Sequence, residues 1–375
     1  MRAEVVDRRI GRAVEEQGDE ATGHLVGAAF TDGDVAHGGH GSETDVVHAF
    51  RCTIRGMSDA SDTAAARVAA ARSRPRGTTG PEAIRLLALD VDGTVCDSRH
   101  EIADATCAAI ARVRAAGIHV VLATGRRYRD TLPVAARLGI DAPLVTASGA
   151  LVKDPRSHAT LERAEFAAEV LFGVLRLIVE RGHEPILYSD SYAAGFDFHC
   201  RRLPEPVGQG RGVDEYLDRN RALADVRPDL DRAPPAGIFA GFAMGPHGAM
   251  HDLEAALHEA WPGRLALHTI RSPRYRDWMC EIAPVGFTKW SGLAAVAGRL
   301  GIPPEAICAV GDDVNDLPMI RAAGLGIAMG NATDDVRAAA DHVVATHDDG
   351  GIADVADLLL AGLAQTAPPP DPNVG

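Results

Sequence analysis

The sequence predicts an α/β fold, a parallel sheet flanked by helices, with a second α/β region inserted into it. Three observations carry this reading. Short apolar, β-branched runs alternate with helical-period segments from residue 84 to about 150, and again from about 285 to 364. Helices in both stretches close on a glycine (Gly117, Gly139, Gly301), where a left-handed cap is favoured. Between them, residues 151–284 carry strand and helix patterns of their own, in a less regular order.

Taken in order, residues 84–90 are a first buried strand and 104–116 a helix with Ile110 and Val113 at helical spacing. Residues 118–123 form a second strand, 128–138 a helix and 144–147 a third strand. Strand–helix alternation of this kind implies parallel pairing with right-handed crossovers. In the inserted region, 165–181 is an amphipathic helix with Phe166, Val170, Val174, Leu177 and Ile178 on one side. Strands are expected at 185–189, 237–244, 265–270 and 278–283, with helices at 214–224 and 249–261. The parallel pattern then resumes with helix 289–300, strand 306–310, helix 313–322, strand 324–328, helix 334–340, strand 342–344 and helix 352–363.

At 375 residues, 46% hydrophobic and 24% charged, the chain has globular composition and length for two ordinary domains. A net charge of -14 argues against a nucleic-acid or anionic-membrane binder, since both need basic surface. The six cysteines are scattered without metal-type spacing and read as reduced thiols; with no apolar run of about 18 residues, the expected location is cytoplasmic. Residues 1–84 lack sustained apolar periodicity and read as a disordered or weakly ordered extension, in which Met57 would serve as a natural start. His37 and His40, in a Gly-rich setting without a third ligand, read as a solvated loop. Residues 365–375, with three consecutive prolines, are expected to be a disordered tail.

Chemistry concentrates at strand ends. The first strand runs into Asp90 and Asp92, two carboxylates at the sheet edge where open α/β sheets bind ligands. Like charges so close call for a cation or a shared proton, unless the stretch is only a strand followed by an Asp-Gly turn. After the second strand come Thr124, Gly125 and Arg126, suited to a phosphate oxygen or, equally, to a helix N-cap. After strand 306–310 come Gly311, Asp312, Asp313, Val314, Asn315 and Asp316, which read as a hard-metal site or as acids decorating a helix N-terminus. Lys289 begins a helix whose dipole it opposes, a small cost that suggests another duty.

The joint occurrence of these segments resembles the haloacid dehalogenase superfamily, subclass IIB, the Cof-type phosphatases. The matching residues are Asp90-Val91-Asp92-Gly93-Thr94, Ala123-Thr124-Gly125-Arg126, the run from Glu281 to Lys289, Gly311-Asp312-Asp313-Val314-Asn315-Asp316, and Ala328-Met329-Gly330-Asn331-Ala332. Two positions depart from the family's pattern: Ser148 stands where asparagine is usual, and Trp290 where glycine is common.

The resemblance implies a core at 85–150 and 285–364 and an α/β cap domain at 151–284. It implies a Mg²⁺-dependent phosphatase of small phosphate monoesters, acting through an aspartyl-phosphate. Asp90 would be the nucleophile and Asp92 the acid and base, its pKa raised by neighbouring carboxylates. Mg²⁺ would be held by Asp90, the Asp92 backbone carbonyl and Asp312, with Asp313 or Asp316 behind them. Val91, Thr124, Gly125, Lys289 and Asn315 would hold the phosphoryl group, Thr124 and Lys289 also counting as catalytic. Tyr188, Asp190, Tyr192, Arg271, Arg274 and Tyr275 are the cap positions to examine for specificity. The expected partner is a small phosphorylated metabolite, not nucleic acid or membrane, and the expected state a monomer or small homo-oligomer. A phosphomutase of the same subclass and a non-catalytic sugar-phosphate-binding protein are the alternatives.

Overall fold

The computed structural model describes residues 83–205, 212–272 and 274–366. The expected N-terminal extension, with His37 and His40, lies outside the described residues apart from its last two positions, as does the tail beyond Thr366.

The first unit is a five-stranded parallel sheet in the order β14-β13-β12-β1-β2. It comprises β1 (Leu86–Leu89), β2 (His119–Leu122), β12 (Ile307–Gly311), β13 (Leu325–Ala328) and β14 (His342–Val343). Alternation along β1 explains why both faces are covered. Leu87 and Leu89 join Ile110 and Val113 of α1 (Asp104–Ala115) and Val355 and Leu359 of α9 (Gly351–Thr366). Leu86 and Ala88 point the other way, onto Leu293 and Val296 of α6 (Lys289–Arg299) and Met319 of α7 (Leu317–Ala322). Each such leucine contributes about 1.5–3 kcal/mol through burial. Between β13 and β14 lies α8 (Asp334–Ala339).

β1 sits between β2 and β12, so its two neighbours arrive by crossovers on opposite sides. Leu89 is in register with Leu122 on one side and Val310 on the other. The Asp90 N–H donates to the Val310 carbonyl, and the Ala123 N–H to that of Leu89. The segments after three strands therefore meet at one edge, the switch point where such sheets bind ligands.

One expectation needs correction. The third strand, β3 (Leu144–Thr146), follows α2 (Tyr128–Leu138) but meets the parallel sheet's ladder through the isolated Ala123–Val145 bridge rather than as a sixth strand. It continues as an antiparallel meander with β4 (Leu151–Lys153) and β5 (Thr160–Arg163). Residues 151–163, assigned above to the inserted region, thus pair with β3. β4 and β5 alternate too briefly, between polar residues, to be seen as strands in sequence.

A six-stranded sheet, β10-β11-β9-β6-β7-β8, occupies one continuous stretch. Its strands are β6 (Ile186–Ser189), β7 (Phe198–Cys200), β8 (Ala224–Val226), β9 (Ile238–Gly245), β10 (Leu265–Arg271) and β11 (Trp278–Pro284). α3 (Ala168–Glu180) and α5 (His247–Ala260) cover one face, packing Val174, Ile178, Met250 and Leu253 onto Ala243, Cys280 and Ile282. On the other face α4 (Gly212–Arg219) sets Tyr216 and Leu217 against Phe198 and Phe242. Among the described residues no helix is long and apolar enough to cross a membrane.

Candidate active site

Lys289 is the hinge pin of the edge. Thr288 caps α6 through a reciprocal capping box with Ser291, so the helix starts where the lysine can turn inward. Only 1% exposed, Lys289 donates from Nζ to Asp90 Oδ1 at 2.8 Å and to Asp316 Oδ1 at 2.6 Å. Burial works against its charge, but Asp316 and Asp90 outweigh it and hold the ammonium above the ordinary lysine range. The duty that offsets the helix dipole is this double pairing.

Asp90, Asp312 and Asp316 place carboxylate oxygens within 4.8 Å of one another. Burial drives the Asp90 pKa well above the carboxylate range; Lys289 pulls it down, and Asp316 and Asp312 push it further up. Burial, with Asp316 adding to it, pushes Asp312 up to about 7. An all-oxygen set whose members repel one another suits a hard divalent cation, which would relieve what Lys289 alone leaves unbalanced. The residues fit such an ion. Asp316, expected behind the ligands, lies within the carboxylate cluster, and the Asp92 side chain lies outside it. Asp316 is already engaged, since Oδ1 meets Lys289 and Oδ2 accepts the N–H groups of Asp312 and Asp313 at 3.0 and 3.1 Å.

Two glycines permit this packing. Gly93 has φ 80°, and a Cβ there would lie 2.2 Å from Asp312 Oδ2. Beside it Thr94 Oγ1 donates to Asp312 Oδ1 at 2.9 Å, and Asn331 Nδ2 donates to the Gly93 carbonyl at 2.9 Å. Gly149 has φ 95°, and a Cβ would strike the Thr288 carbonyl oxygen at 1.9 Å. That contact lets the loop after β3 lie directly against the start of α6.

Asp92 points elsewhere. Arg126 donates from Nε to its Oδ2 at 2.7 Å and from Nη2 to its Oδ1 at 2.6 Å, a bidentate pair. His100 and Arg274 approach Oδ1 at 3.6 and 3.9 Å. Burial alone would raise the Asp92 pKa, but the hydrogen bonds and charge of Arg126, aided by Arg274 and His100, hold it below the ordinary range. The expectation of a pKa raised by neighbouring carboxylates is overturned, because the closest charges are cations.

Thr124 is buried, and its Oγ1 accepts the Arg126 N–H at 3.1 Å. The N-cap of α2 is Arg127, so the helix-cap reading of Thr124 falls away. Gly125 lies beside the Ser148 hydroxyl and the Asn315 amide: a Cβ on it would be 3.5 Å from Oγ and 3.9 Å from Nδ2. Asn315 Oδ1 is buried without a hydrogen-bond partner, a polar end still open to a ligand. Val91 is buried, and its carbonyl accepts from the N–H groups of Val95 and Cys96, which anchors the turn that carries Asp92. Ser148 has φ 54°, a left-handed conformation that asparagine adopts more readily.

Of the six specificity positions, two approach this edge. Tyr188 lines a cavity of about 120 Å³ with Ser148, Lys289 and Asn315, and Arg274 approaches Asp92. Asp190 instead pairs with Lys153 at 2.6 Å, Tyr192 packs against Tyr128, and Tyr275 accepts from Asn220 at 2.9 Å. Arg271 is exposed at the end of β10. Trp290 packs on the core cluster of Leu86 and Val296, away from the cavity. Reasoning from sequence did not single out Arg126, Thr94, Asn331 or Glu281 as site residues, although all four lie in the motifs quoted above.

A family model for haloacid dehalogenase-like hydrolases matches residues 87–355. Stress response protein YhaX of Bacillus subtilis is 30% identical over 275 residues, covering 72% of this chain and 91% of its own length. Phosphatase YwpJ of the same organism is 27% identical, covering 74% and 100%. A solved haloacid dehalogenase-like hydrolase from Bacteroides thetaiotaomicron superposes with a TM-score of 0.61 at 24% identity, covering 74% of this chain and 99% of that one. The chain belongs to the haloacid dehalogenase-like hydrolases.

Proposed function

We propose that the chain is a Mg²⁺-dependent phosphatase of small phosphate monoesters that works through an aspartyl-phosphate on Asp90. One observation carries this reading: a carboxylate at the end of the central strand, beside Asp312 and held by a buried lysine that lines one cavity with Gly125 and Asn315. Relatives matched over nearly their whole length include a phosphatase of Bacillus subtilis and a pyridoxal phosphate phosphatase of Escherichia coli, 26% identical over 276 residues.

Asp90 attacks phosphorus in line, and the ester oxygen leaves. Lys289, Thr124 and the Val91 and Gly125 backbones stabilise charge on the phosphoryl oxygens, the largest source of acceleration in such transfers. Asn315 completes the cradle. Asp90, Asp312 and the Asp92 carbonyl would hold Mg²⁺, which screens the repulsion between Asp90 and the phosphoryl oxygens. Asp316, its oxygens already occupied, fixes Lys289 and the loop of Asp312.

Asp92 protonates the leaving alkoxide and then takes the proton of the hydrolytic water. To do so it leaves Arg126 and turns toward the substrate, whose negative charge favours its protonated form. Residues 168–284 act as the cap, and Arg274 brings cap charge to Asp92. Release of inorganic phosphate from p-nitrophenyl phosphate, lost on chelation and restored by Mg²⁺, tests the proposal. Isomerisation of a sugar phosphate without phosphate release would favour the mutase instead.

A further inference from the structure

Two consecutive arginines diverge at the start of α2. Arg126 turns to Asp92, whereas Arg127, the N-cap, turns to the cap. Its Nη2 donates to Asn220 Oδ1 at 2.9 Å, and its Nη1 stands 3.6 Å from Asp197 Oδ2. Arg129 donates from Nε to Asp197 Oδ1 at 2.8 Å, and its guanidinium lies over the Tyr192 ring, 4.5 Å from the centroid. From β4, Lys153 donates to Asp190 Oδ1 at 2.6 Å. The cations of this contact all come from the core side. The acids they meet across it come from the cap loop between β6 and β7.

Lys153, Asp197 and Asn220 are buried, so removing one partner is costly because it strands the other charge away from water. Asn220 Nδ2 donates to the Tyr216 carbonyl and to the Tyr275 hydroxyl, which leaves its Oδ1 to Arg127. Asp190, Tyr192 and Tyr275, cap positions chosen from sequence for specificity, therefore serve this contact instead of lining the cavity at Lys289. The contact closes incompletely at one point. Among the described residues neither Arg127 Nη1 nor Asp197 Oδ2 has a hydrogen-bond partner, though both atoms are buried. So polar a junction resembles a transient interface between bodies that part and rejoin.

The cavity at Lys289 is walled from both sides, by Gly125, Ser148 and Asn315 of the core and by Tyr188, Phe242 and Ile282 of the cap. At about 120 Å³ it is smaller than the roughly 300–1,000 Å³ of pockets that take small molecules, so the seat of the cap sets the room an ester finds. We propose that Asp197 is the positioning residue that seats the cap: it clasps Arg127 and Arg129, and through that clasp it sets the cap wall on a bound ester. This rests on the phosphatase reading.

Steady-state kinetics of the full chain on p-nitrophenyl phosphate with Mg²⁺ test the clasp in Asp197→Asn, Arg129→Gln and the double variant. Asp197→Asn keeps the side-chain shape and removes the charge. Each single variant should raise KM by about tenfold or more, the scale of one buried charge pair, and move kcat by less than about threefold, since the wall is lost to ground and transition state alike. The double variant should match the worse single variant within about twofold, because the two residues act as one unit. Hydrogen exchange should rise at residues 190–197 in each variant while β1 and β12 stay protected. An unchanged KM, additive effects or a loss confined to kcat overturns the inference. So does exchange that rises throughout the fold, the mark of a merely structural role. A wild type without turnover sinks the phosphatase reading, and exchange then decides the clasp alone: a rise confined to 190–197 supports it, and an unchanged loop overturns it.

Discussion

Arg126 grips both oxygens of Asp92, Nε on Oδ2 at 2.7 Å and Nη2 on Oδ1 at 2.6 Å. The pair keeps the proposed acid ionised and turned from Asp90, so the proton needed by the leaving group is loaded only when Asp92 exchanges this partner for the substrate. Arg126→Gln removes the charge that holds the pKa down. The alkaline limb of kcat against pH, which reports loss of the acid's proton in the substrate complex, should then move up by about one unit, the scale of one neighbouring charge. An unmoved limb would show that Arg126 does not set the protonation of Asp92.

Lys289 balances two buried carboxylates at once. Lys289→Met should destabilise the fold by about 3–5 kcal/mol, the cost of leaving a buried charge unpaired. Its Tm deficit should be larger at pH 8 than at pH 5, because Asp90 and Asp312 have raised pKa values and shed the unpaired charge by taking protons as pH falls. A deficit independent of pH would argue against this balance.

Glu281 offers a test by stability alone. Burial sets its folded pKa, about 7, above the ordinary glutamate range. The folded state therefore holds the proton more tightly, and that contribution is present below the unfolded pKa and lost as pH rises through 7. Glu281→Gln should accordingly gain Tm relative to wild type at pH 8.5 and show little gain at pH 4.5. The opposite ordering in paired thermal melts would mean that the carboxylate is compensated within the protein.

Gly149→Ala would set a Cβ against the Thr288 carbonyl in a backbone with φ 95°. The start of α6 must move, carrying Lys289 with it. A displacement near 1 Å costs about a hundredfold in rate, so kcat/KM should fall on that scale even where the variant folds. Retention of wild-type kcat/KM would show that the Lys289 position tolerates the shift.

Much of the core was legible because its signals are local. β1 and β12 are apolar runs that stop abruptly at aspartates, and Gly139 closes α2 in the left-handed conformation its residue type suggests. The three-residue strands β4, β7 and β8 were missed, since pairing partners rather than periodicity define them. Side-chain direction was the other blind spot. Spacing separates Asp90 from Asp92, but nothing local says that Arg126, thirty-four positions on, takes both of Asp92's oxygens, or that Asp316 turns back to Lys289. Glu281 was hidden differently: in sequence it is one polar residue in an alternating strand, and its place in the cavity wall appears only when the strands are assembled.

The central claim is that Asp90 is the nucleophile, and turnover by Asp90→Asn tests it most directly. With Mg²⁺ and p-nitrophenyl phosphate, the folded variant should retain less than about a hundredth of wild-type kcat, since losing the nucleophile costs several kcal/mol of barrier. A folded Asp90→Asn protein that turned over faster than that would contradict the account.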